Sequence, residues 1–351
     1  MEYAGKKLWE EAPGEADCYR REYIEGIRAF IDRKNKETKT ERRQWMTPEK
    51  LAEQPERYRK AYKDMLGISV WEGLTDKPAK VEYVGRDEVC SIYRMQVFLT
   101  DEIPFYALLL KPHGAAVPMP LAITQHGGSG TPELCSDFYG KNNYNHMVQR
   151  VLERGYAALV PQLLLWSLTE KERQRGHDIP YERSKIDVDM KRYGSSVTGL
   201  EISGIMKCLD VVCEMEEIDG ENVKMIGLSY GGYFSMHTMA ADPRIKAGYC
   251  AGFFNDRDVY DWADWSYKGS ALQFQDAEVA ALCAPRKLYL QVGIQDPIFD
   301  YRSAVTEAER VGDYFAAFGV ADHFQFDVWD GGHTISDHDR GMDFIFDKKK
   351  G

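Results

Sequence analysis

Residues 222–232 read NVKMIGLSYGG, and this stretch decides the fold. Its first part is mostly apolar and predicts a buried strand, while residues 231–241 predict a helix. The strand-to-helix turn carries GLSYG at 227–231, which is the pattern G-x-S-x-G. Such a turn holds the serine in a strained backbone geometry, so the residues two before and two after it must be very small. The stretch predicts Ser229 as a nucleophile; a glycine-rich turn with an incidental serine is the alternative.

Strands and helices alternate on both sides of this turn. Apolar strands that alternate with helices are typical of a mostly parallel sheet covered on both faces, so we expect an α/β fold. Ligands of such sheets bind at the carboxyl ends of the strands, where the loops carry the functional side chains. The remaining predicted strands are 89–99, 104–112, 120–126, 156–161, 245–254, 286–293 and 323–329, the first two forming a hairpin.

A serine nucleophile needs a histidine base, and in this architecture the partners follow in the order Ser, acid, His. Four histidines lie after Ser229. His237 falls within the helix that begins at the serine, His323 opens a strand, and His338 lies on the last predicted helix. His333 directly follows a strand in a loop with two glycines, so we predict His333 as the base.

The acid is expected after the strand that precedes the histidine. Asp296 is the first acidic residue past the strand 286–293, and we predict that it orients the histidine. Asp296 stands before a proline, and an Asp in that position is also a common turn residue. Asp300 is therefore the second choice.

The oxyanion that forms during acyl transfer needs backbone N–H donors. The N–H of Tyr230 stands at the start of the helix after the serine and is one predicted donor. The second is expected from the glycine-rich loop after the strand 120–126, and the sequence leaves Gly127 and Gly128 both open.

No cofactor or metal site is indicated. The loop at 126–130 does not follow the dinucleotide spacing G-x-G-x-x-G, and the chain has no Gly-Lys-Ser/Thr phosphate loop. His333, Asp337, His338 and Asp339 are close in sequence, but no second cluster completes a coordination shell. We therefore expect chemistry without a cofactor.

Composition excludes several classes of partner. The chain has 351 residues and a formal net charge of −11, which disfavours nucleic-acid binding and attachment to anionic lipid. Seven cysteines without a C-x-x-C pair predict reduced thiols in a cytoplasmic protein. No apolar run reaches the ~18 residues of a membrane span, and no signal peptide is evident. A homo-oligomer is compatible with the sequence, which does not indicate the number of copies.

The sequence divides into two regions. Residues 1–84 are polar and helical without a core of their own, so we expect an extension on a catalytic domain of residues 85–351.

Two segments predict the substrate pocket: the one after the strand 156–161, which runs to about Tyr193, and residues 255–265, which follow the strand 245–254. Their aromatic and polar residues lie above the carboxyl edge of the sheet and suit a sugar ring or an aromatic acyl group. Packing of the same tryptophans into a lid or an oligomer contact is the alternative. The predicted substrate contacts are Trp166, Arg257, Trp262 and Trp265.

The motifs HGGSG at 126–130, GLSYGG at 227–232, GIQDP at 293–297 and GGH at 331–333 resemble the α/β-hydrolase superfamily. Within it the chain looks most like dienelactone hydrolases and acetyl xylan esterases with a helical N-terminal extension. The resemblance implies an eight-stranded, mostly parallel sheet and hydrolysis of a small-molecule carboxylic ester without a cofactor.

The sequence departs from these relatives at two positions. Dienelactone hydrolases proper use cysteine where Ser229 stands, and acetyl xylan and cephalosporin-C deacetylases usually carry glutamine at the position of Tyr230. Tyr-Gly-Gly after the serine is similar to prolyl-oligopeptidase-type peptidases. A small peptidase or amidase is therefore one alternative function, and a non-catalytic binding protein with this fold is another.

Overall fold

A nine-stranded mixed sheet lies at the centre of the chain. A computed structural model describes residues 2–165, 183–260 and 262–346. The strands are β1 (Glu2–Tyr3), β2 (Lys6–Lys7), β3 (Lys80–Arg86), β4 (Cys90–Phe98), β5 (Pro104–Pro112), β6 (Met119–Gln125), β7 (Ala157–Pro161), β8 (Ile218–Leu228), β9 (Ile245–Ala251), β10 (Lys287–Gly293) and β11 (Phe324–Trp329). Within the described residues, the strand order of the central sheet is β11-β10-β9-β8-β6-β7-β5-β4-β3.

Helices cover both faces of the sheet and also form the N-terminal part of the chain. They are α1 (Asp17–Trp45), α2 (Pro48–Glu53), α3 (Pro55–Leu66), α4 (Pro132–Cys135), α5 (Met147–Leu152), α6 (Arg183–Arg192), α7 (Val197–Cys213), α8 (Tyr230–Ala241), α9 (Ser270–Gln273), α10 (Asp276–Ala281), α11 (Tyr301–Ala317) and α12 (Arg340–Ile345). Three short 3-10 turns lie at Ile68–Trp71, Ala263–Trp265 and Ala321–His323.

The expected α/β fold is confirmed. Strands β6 to β11 pair in parallel, whereas β3, β4 and β5 pair antiparallel at one side of the sheet. The parallel strands are almost continuously apolar because both of their faces are buried. One apolar layer includes side chains of α7 and α8, and a second, on the opposite face, includes those of α5 and α12. The carboxyl ends of β6, β8, β9, β10 and β11 therefore meet at one edge.

The number of strands corrects one expectation. The resemblance implied a sheet of eight strands, and the central sheet of the described residues has nine, because β3 adds an antiparallel edge strand to β4. Nearly all of β3 is exposed on both faces, so its sequence KVEYVGR lacks the buried apolar alternation that marks a strand. The domain boundary expected at residue 84 falls inside this strand.

The N-terminal helices pack on the main sheet domain through α2, α3 and the end of α1. Arg42 in α1 pairs with Glu278 of α10 at 3.0 Å, and both side chains are buried. Arg59 in α3 donates to the carbonyl oxygen of Ala240 at 2.5 Å. By contrast, residues 17–34 of α1 are all exposed. Helices long and apolar enough to cross a membrane are absent from the described part of the chain.

Candidate active site

The turn after β8 holds Ser229 in a strained conformation. Its φ is 61° and its ψ is −125°, a geometry that residues other than glycine rarely adopt. The Ser229 N–H donates to the carbonyl oxygen of Ala251, at the end of β9, at 2.8 Å. A Cβ on Gly227 would stand 2.2 Å from the oxygen of Gly231, and one on Gly231 would stand 2.1 Å from the oxygen of Gln125. Backbone approaches this close explain why both flanking positions are glycine.

Asp296 and His333 form a hydrogen-bonded pair after β10 and β11. His333 Nδ1 lies 2.8 Å from Asp296 Oδ2, and the Asp296 side chain is almost completely buried. The other carboxylate oxygen accepts the N–H groups of Ile298 at 2.8 Å and Phe299 at 3.2 Å. A carboxylate is only an acceptor, so the imidazole carries its proton on Nδ1 and its Nε2 is the basic nitrogen.

The end of β9 brings this pair and the serine to the same place. Gly252, with φ 66°, directly follows Ala251, which holds the Ser229 N–H. A Cβ on Gly252 would lie 3.4 Å from the His333 ring atoms Cε1 and Nδ1. The imidazole therefore lies against the backbone at the end of β9, which also holds the serine turn.

The other candidates for acid and base lie elsewhere. Asp300 accepts the Arg302 N–H as the N-cap of α11. The three other downstream histidines are engaged with partners away from Asp296: His237 with Tyr62, His323 with Pro285, and His338 with Asp327. Within the ranges that the structure describes, no three or more His, Cys, Asp and Glu side chains are grouped to hold a metal ion.

Of the two glycines proposed for the oxyanion loop, one has its N–H engaged. The Gly127 N–H donates to the hydroxyl oxygen of Tyr144 at 2.7 Å. Gly128 is exposed, and a Cβ there would lie 3.8 Å from the ring of Tyr230. Tyr230 is the first residue of α8, so its own N–H has no acceptor within the helix. Gly128 and Tyr230 are thus neighbours, whereas the N–H of Gly127 is engaged by Tyr144.

His126 connects the glycine-rich loop after β6 to the segment after β7. Its Nε2 accepts the Leu163 N–H at 2.9 Å, so the proton is on Nδ1, which donates to the oxygen of Gly127 at 2.9 Å. Burial lowers the pKa of His126 to about 4, because the charged imidazolium would lose its hydration. At neutral pH this histidine is uncharged and links the loops after β6 and β7.

The predicted substrate contacts are distributed over several environments. Trp166 lies outside the described residues. Arg257 is buried and binds both carboxylate oxygens of Asp276 at 2.7 and 2.9 Å. Trp265 is buried and stacks on Tyr233 at 4.4 Å, as the packing alternative expected. Trp262 is partly buried and stacks on Tyr230 at 4.8 Å.

A cavity of about 560 Å³ opens beside the serine turn. Gly128 and Tyr230 lie on its wall, together with Arg183, Lys185 and Asp264. Tyr230 directly follows Ser229, and a Cβ on Gly127, the neighbour of Gly128, would lie 3.1 Å from Ser229 Cβ, so the cavity lies next to the serine turn.

Buried charges that the sequence did not indicate fix one wall of this cavity. Arg183 binds Asp264 and Glu201, each at 2.7 Å, and the Tyr230 hydroxyl donates to Asp264 at 3.1 Å. Burial raises the pKa of the Tyr230 phenol. Neither Arg183 nor Tyr144 stands in a recognisable motif, so only the folded chain reveals them.

The sheet order and the strained serine turn define the α/β-hydrolase class. The dienelactone hydrolase family model matches residues 134–321, more than half of the chain. The chain therefore belongs to the dienelactone hydrolase family and is a hydrolase of carboxylic esters. None of the curated proteins compared with it matches the chain.

Solved structures similar to this chain include three proteins named as esterases. A Bacteroides fragilis NCTC 9343 protein named as a candidate acetyl xylan esterase is 14% identical, with a TM-score of 0.65 over 81% of this chain and 76% of its own. The methylesterase BT1017 is 12% identical, with a TM-score of 0.63 over 90% of this chain and 67% of its own. A glucuronoyl esterase from Solibacter usitatus is 15% identical, with a TM-score of 0.57 over 84% of this chain and 92% of its own. At these identities the likeness shows a shared fold.

Proposed function

We propose that Ser229, His333 and Asp296 are the catalytic triad of a serine esterase. The observation that carries the proposal is the 2.8 Å hydrogen bond between His333 and Asp296, at the same sheet edge as the strained Ser229 turn. Asp296 fixes the tautomer of the imidazole, so Nε2 is available to take a proton from the serine hydroxyl. A serine without such a base is a weak nucleophile.

The reaction proceeds through an acyl-enzyme. Ser229 Oγ attacks the ester carbonyl carbon while His333 Nε2 takes the hydroxyl proton. The tetrahedral oxyanion accepts hydrogen bonds from the N–H groups of Tyr230 and Gly128. His333 then gives its proton to the leaving alkoxide, and the alcohol departs. Water, deprotonated by the same imidazole, attacks the acyl-enzyme carbonyl. The bond from this carbon to Ser229 Oγ then breaks, the imidazolium returns its proton to Oγ, and the acid departs.

We propose a carbohydrate ester as the substrate class. The cavity beside the serine turn combines polar groups, Lys185 and Asp264 among them, with the ring of Tyr230, which stacks on Trp262. Sugars present hydroxyl groups at their edges and C–H surfaces on their faces, so a wall of polar groups and aromatic rings suits them. The similar structures named above include proteins named for xylan and glucuronoyl esters.

A substrate panel tests this assignment. Purified chain is given an acetylated sugar, a sugar methyl ester, a simple short acyl ester and a peptide amide, and the acid released is measured. We expect turnover of the sugar esters, a loss of at least ~10³-fold in Ser229→Ala, and normal turnover in Ser270→Ala, whose serine begins the separate helix α9. Hydrolysis of the amide alone would contradict the ester assignment. Turnover of the simple ester alone would contradict only the carbohydrate part.

A further inference from the structure

The segment after β9 forms one side of the candidate active site. We call residues 255–260 and 262–265 the wall segment. Asp264 of this segment lines the cavity beside the serine turn and accepts the Tyr230 hydroxyl at 3.1 Å. Trp262 stacks on the Tyr230 ring, with 4.8 Å between the ring centroids. The wall segment therefore helps to shape this cavity.

Asp256 shapes a turn at the start of the wall segment. Its carboxylate oxygen Oδ1 accepts the N–H of Asp258 at 3.0 Å. Its carbonyl oxygen accepts the N–H groups of Val259 and Tyr260, both at 3.0 Å. The turn sets the Tyr260 ring against Phe299, with 4.6 Å between the ring centroids. Asp256 therefore determines how the wall segment packs on the loop after β10.

Lys39 of α1 binds the second oxygen of the same carboxylate. Its Nζ lies 2.6 Å from Asp256 Oδ2, and the two side chains are 28% and 14% exposed. An ion pair that is largely shielded from water is stronger than one on the open surface. Burial acts to raise the pKa of Asp256, but the hydrogen bonds from Lys39 and the Asp258 N–H, together with nearby positive charges, outweigh burial and lower it. Asp256 is therefore charged at neutral pH and links α1 to the wall segment.

Lys39 also separates two carboxylates. Its Nζ lies 4.0 Å from Oε1 of Glu307 in α11, whose side chain is buried. Burial, and to a smaller extent the charge of Asp256, acts to raise the pKa of Glu307, so the two carboxylates interact. Without the ammonium group between them, Asp256 and Glu307 would repel each other. Loss of Lys39 would therefore push the start of the wall segment away from α11.

The end of α1 gives Lys39 a fixed support. Arg42 lies three residues after Lys39, on the same side of the helix. Its guanidinium pairs with Glu278 of α10 at 3.0 Å, and both side chains are buried. Trp45, the last residue of α1, packs edge-on against Phe274, with 4.9 Å between the ring centroids. These contacts hold the last turns of α1 against the rest of the chain.

We propose that Lys39 is a positioning residue, through which the N-terminal helices hold the wall of the active site. Lys39 acts through Asp256 and touches none of the reacting atoms. This inference rests on the proposed function, because it treats the cavity beside Ser229 as the place where the sugar of a carbohydrate ester binds. The N-terminal helices then have a role in substrate binding in addition to their packing.

Amide hydrogen exchange of the full chain tests the hold on the wall segment. Lys39→Met keeps the aliphatic stem and removes the charge. We expect the N–H groups of residues 258–260 to exchange about tenfold faster in this variant, because their turn opens more often. Lys39→Arg keeps the ion pair and should exchange as the wild type does. Lys111→Met is the matched control with wild-type exchange, since Lys111 pairs with Glu217 at the opposite edge of the sheet.

Steady-state kinetics on two esters tests the effect on substrate binding. The pair is the better sugar ester of the panel and a simple ester with the same reacting group, which is too small to reach the wall segment. We expect Lys39→Met to raise KM for the sugar ester about tenfold, with kcat and the turnover of the simple ester within about twofold of the wild type. Lys39→Arg and Lys111→Met should have wild-type constants for both esters.

Three results would overturn the proposal. They are unchanged exchange at residues 258–260 in Lys39→Met, equal losses with the two esters in that variant, and a failure of Lys39→Arg to behave as the wild type. A wild type that turns over the simple ester alone would also overturn it, since the wall segment would then bind no sugar. A wild type that hydrolyses no ester would contradict the proposed function instead, and the exchange rates would still decide whether Lys39 holds the wall segment.

Discussion

The Gly127 N–H donates to the Tyr144 hydroxyl oxygen at 2.7 Å, and this bond connects the oxyanion loop to the segment before α5. Tyr144 is buried, so its removal leaves a buried N–H without a partner. The loop would then relax, and the neighbouring Gly128 N–H would lose its aim at the developing oxyanion.

We expect Tyr144→Phe to lower kcat about tenfold with little change in KM, because the donor acts mainly in the transition state. Steady-state kinetics on the ester found in the panel measures both constants. Tyr314→Phe is the control. The buried Tyr314 hydroxyl lies on α11, outside the candidate site, and donates to the carbonyl oxygen of Met46 at 2.5 Å. If both variants lose stability and neither loses kcat, Tyr144 has no role in positioning the loop.

Substitution of Asp296 and of Asp300, which are four residues apart, tests which of them is the acid of the triad. Asp296→Asn should reduce kcat by roughly 10³–10⁴-fold, because the amide no longer holds the proton on His333 Nδ1. Asp300→Asn should leave turnover nearly unchanged, since Asp300 caps α11 instead. A severe loss in Asp300→Asn with a mild one in Asp296→Asn would reverse the assignment.

A substitution at Gly252 tests whether contact with the imidazole matters in addition to backbone strain. Gly252→Ala places a methyl group 3.0 Å from Leu228 Cδ1, which must give way by a few tenths of an ångström, and in contact with the His333 ring at 3.4 Å, so relief of the backbone strain would press on the imidazole. Gly319→Ala has the same left-handed strain, with φ 74°, but nothing lies within 4 Å. Both variants should lose about 1 kcal/mol of unfolding free energy by thermal or urea denaturation, and only Gly252→Ala should lose turnover. Equal turnover in the two would show that the imidazole tolerates the methyl group.

The buried neutral His126 predicts a loss of stability in mild acid. Its folded pKa of about 4 is below the usual 6.5, so between these values the unfolded chain binds the proton and the folded chain does not. The contribution of neutral His126 to the free energy of unfolding is fully present above pH 6.5 and is lost as the pH falls towards 4. At about 1.4 kcal/mol per pKa unit, the loss is about 3 kcal/mol.

Urea unfolding at pH 7 and at pH 4.5 measures this difference. His126→Gln should show a shallower pH dependence than the wild type, while His113→Gln should keep the wild-type dependence, because His113 is exposed. An unchanged slope in His126→Gln would mean that folding does not lower the pKa of this histidine.

The sequence was informative where local patterns act at strand ends. The G-x-S-x-G pattern identified the turn at Ser229, and chain order pointed to Asp296 and His333, which hydrogen-bond in the structure. This worked because parallel strands end at one edge, so residues that follow different strands become neighbours. Their catalytic roles stay predictions.

Other features depend on contacts that no local pattern records. The exposed strand β3 lacks a buried face, so periodicity does not reveal it. Arg257 and Trp265 were proposed for the pocket from their residue types, but an ion pair and a stacked tyrosine hold them in buried positions. The pair of Arg183 and Asp264 joins residues 81 apart in the chain, a distance over which spacing carries no information.

The most direct test of the account is the covalent labelling of the nucleophile. The chain is treated with a fluorophosphonate and the modified peptide is identified by mass spectrometry, in the wild type and in His333→Ala. The account predicts one adduct, on Ser229, which forms at least ~10³-fold more slowly when His333 is absent. A stable adduct on another serine, or labelling of Ser229 at an equal rate without His333, would contradict it.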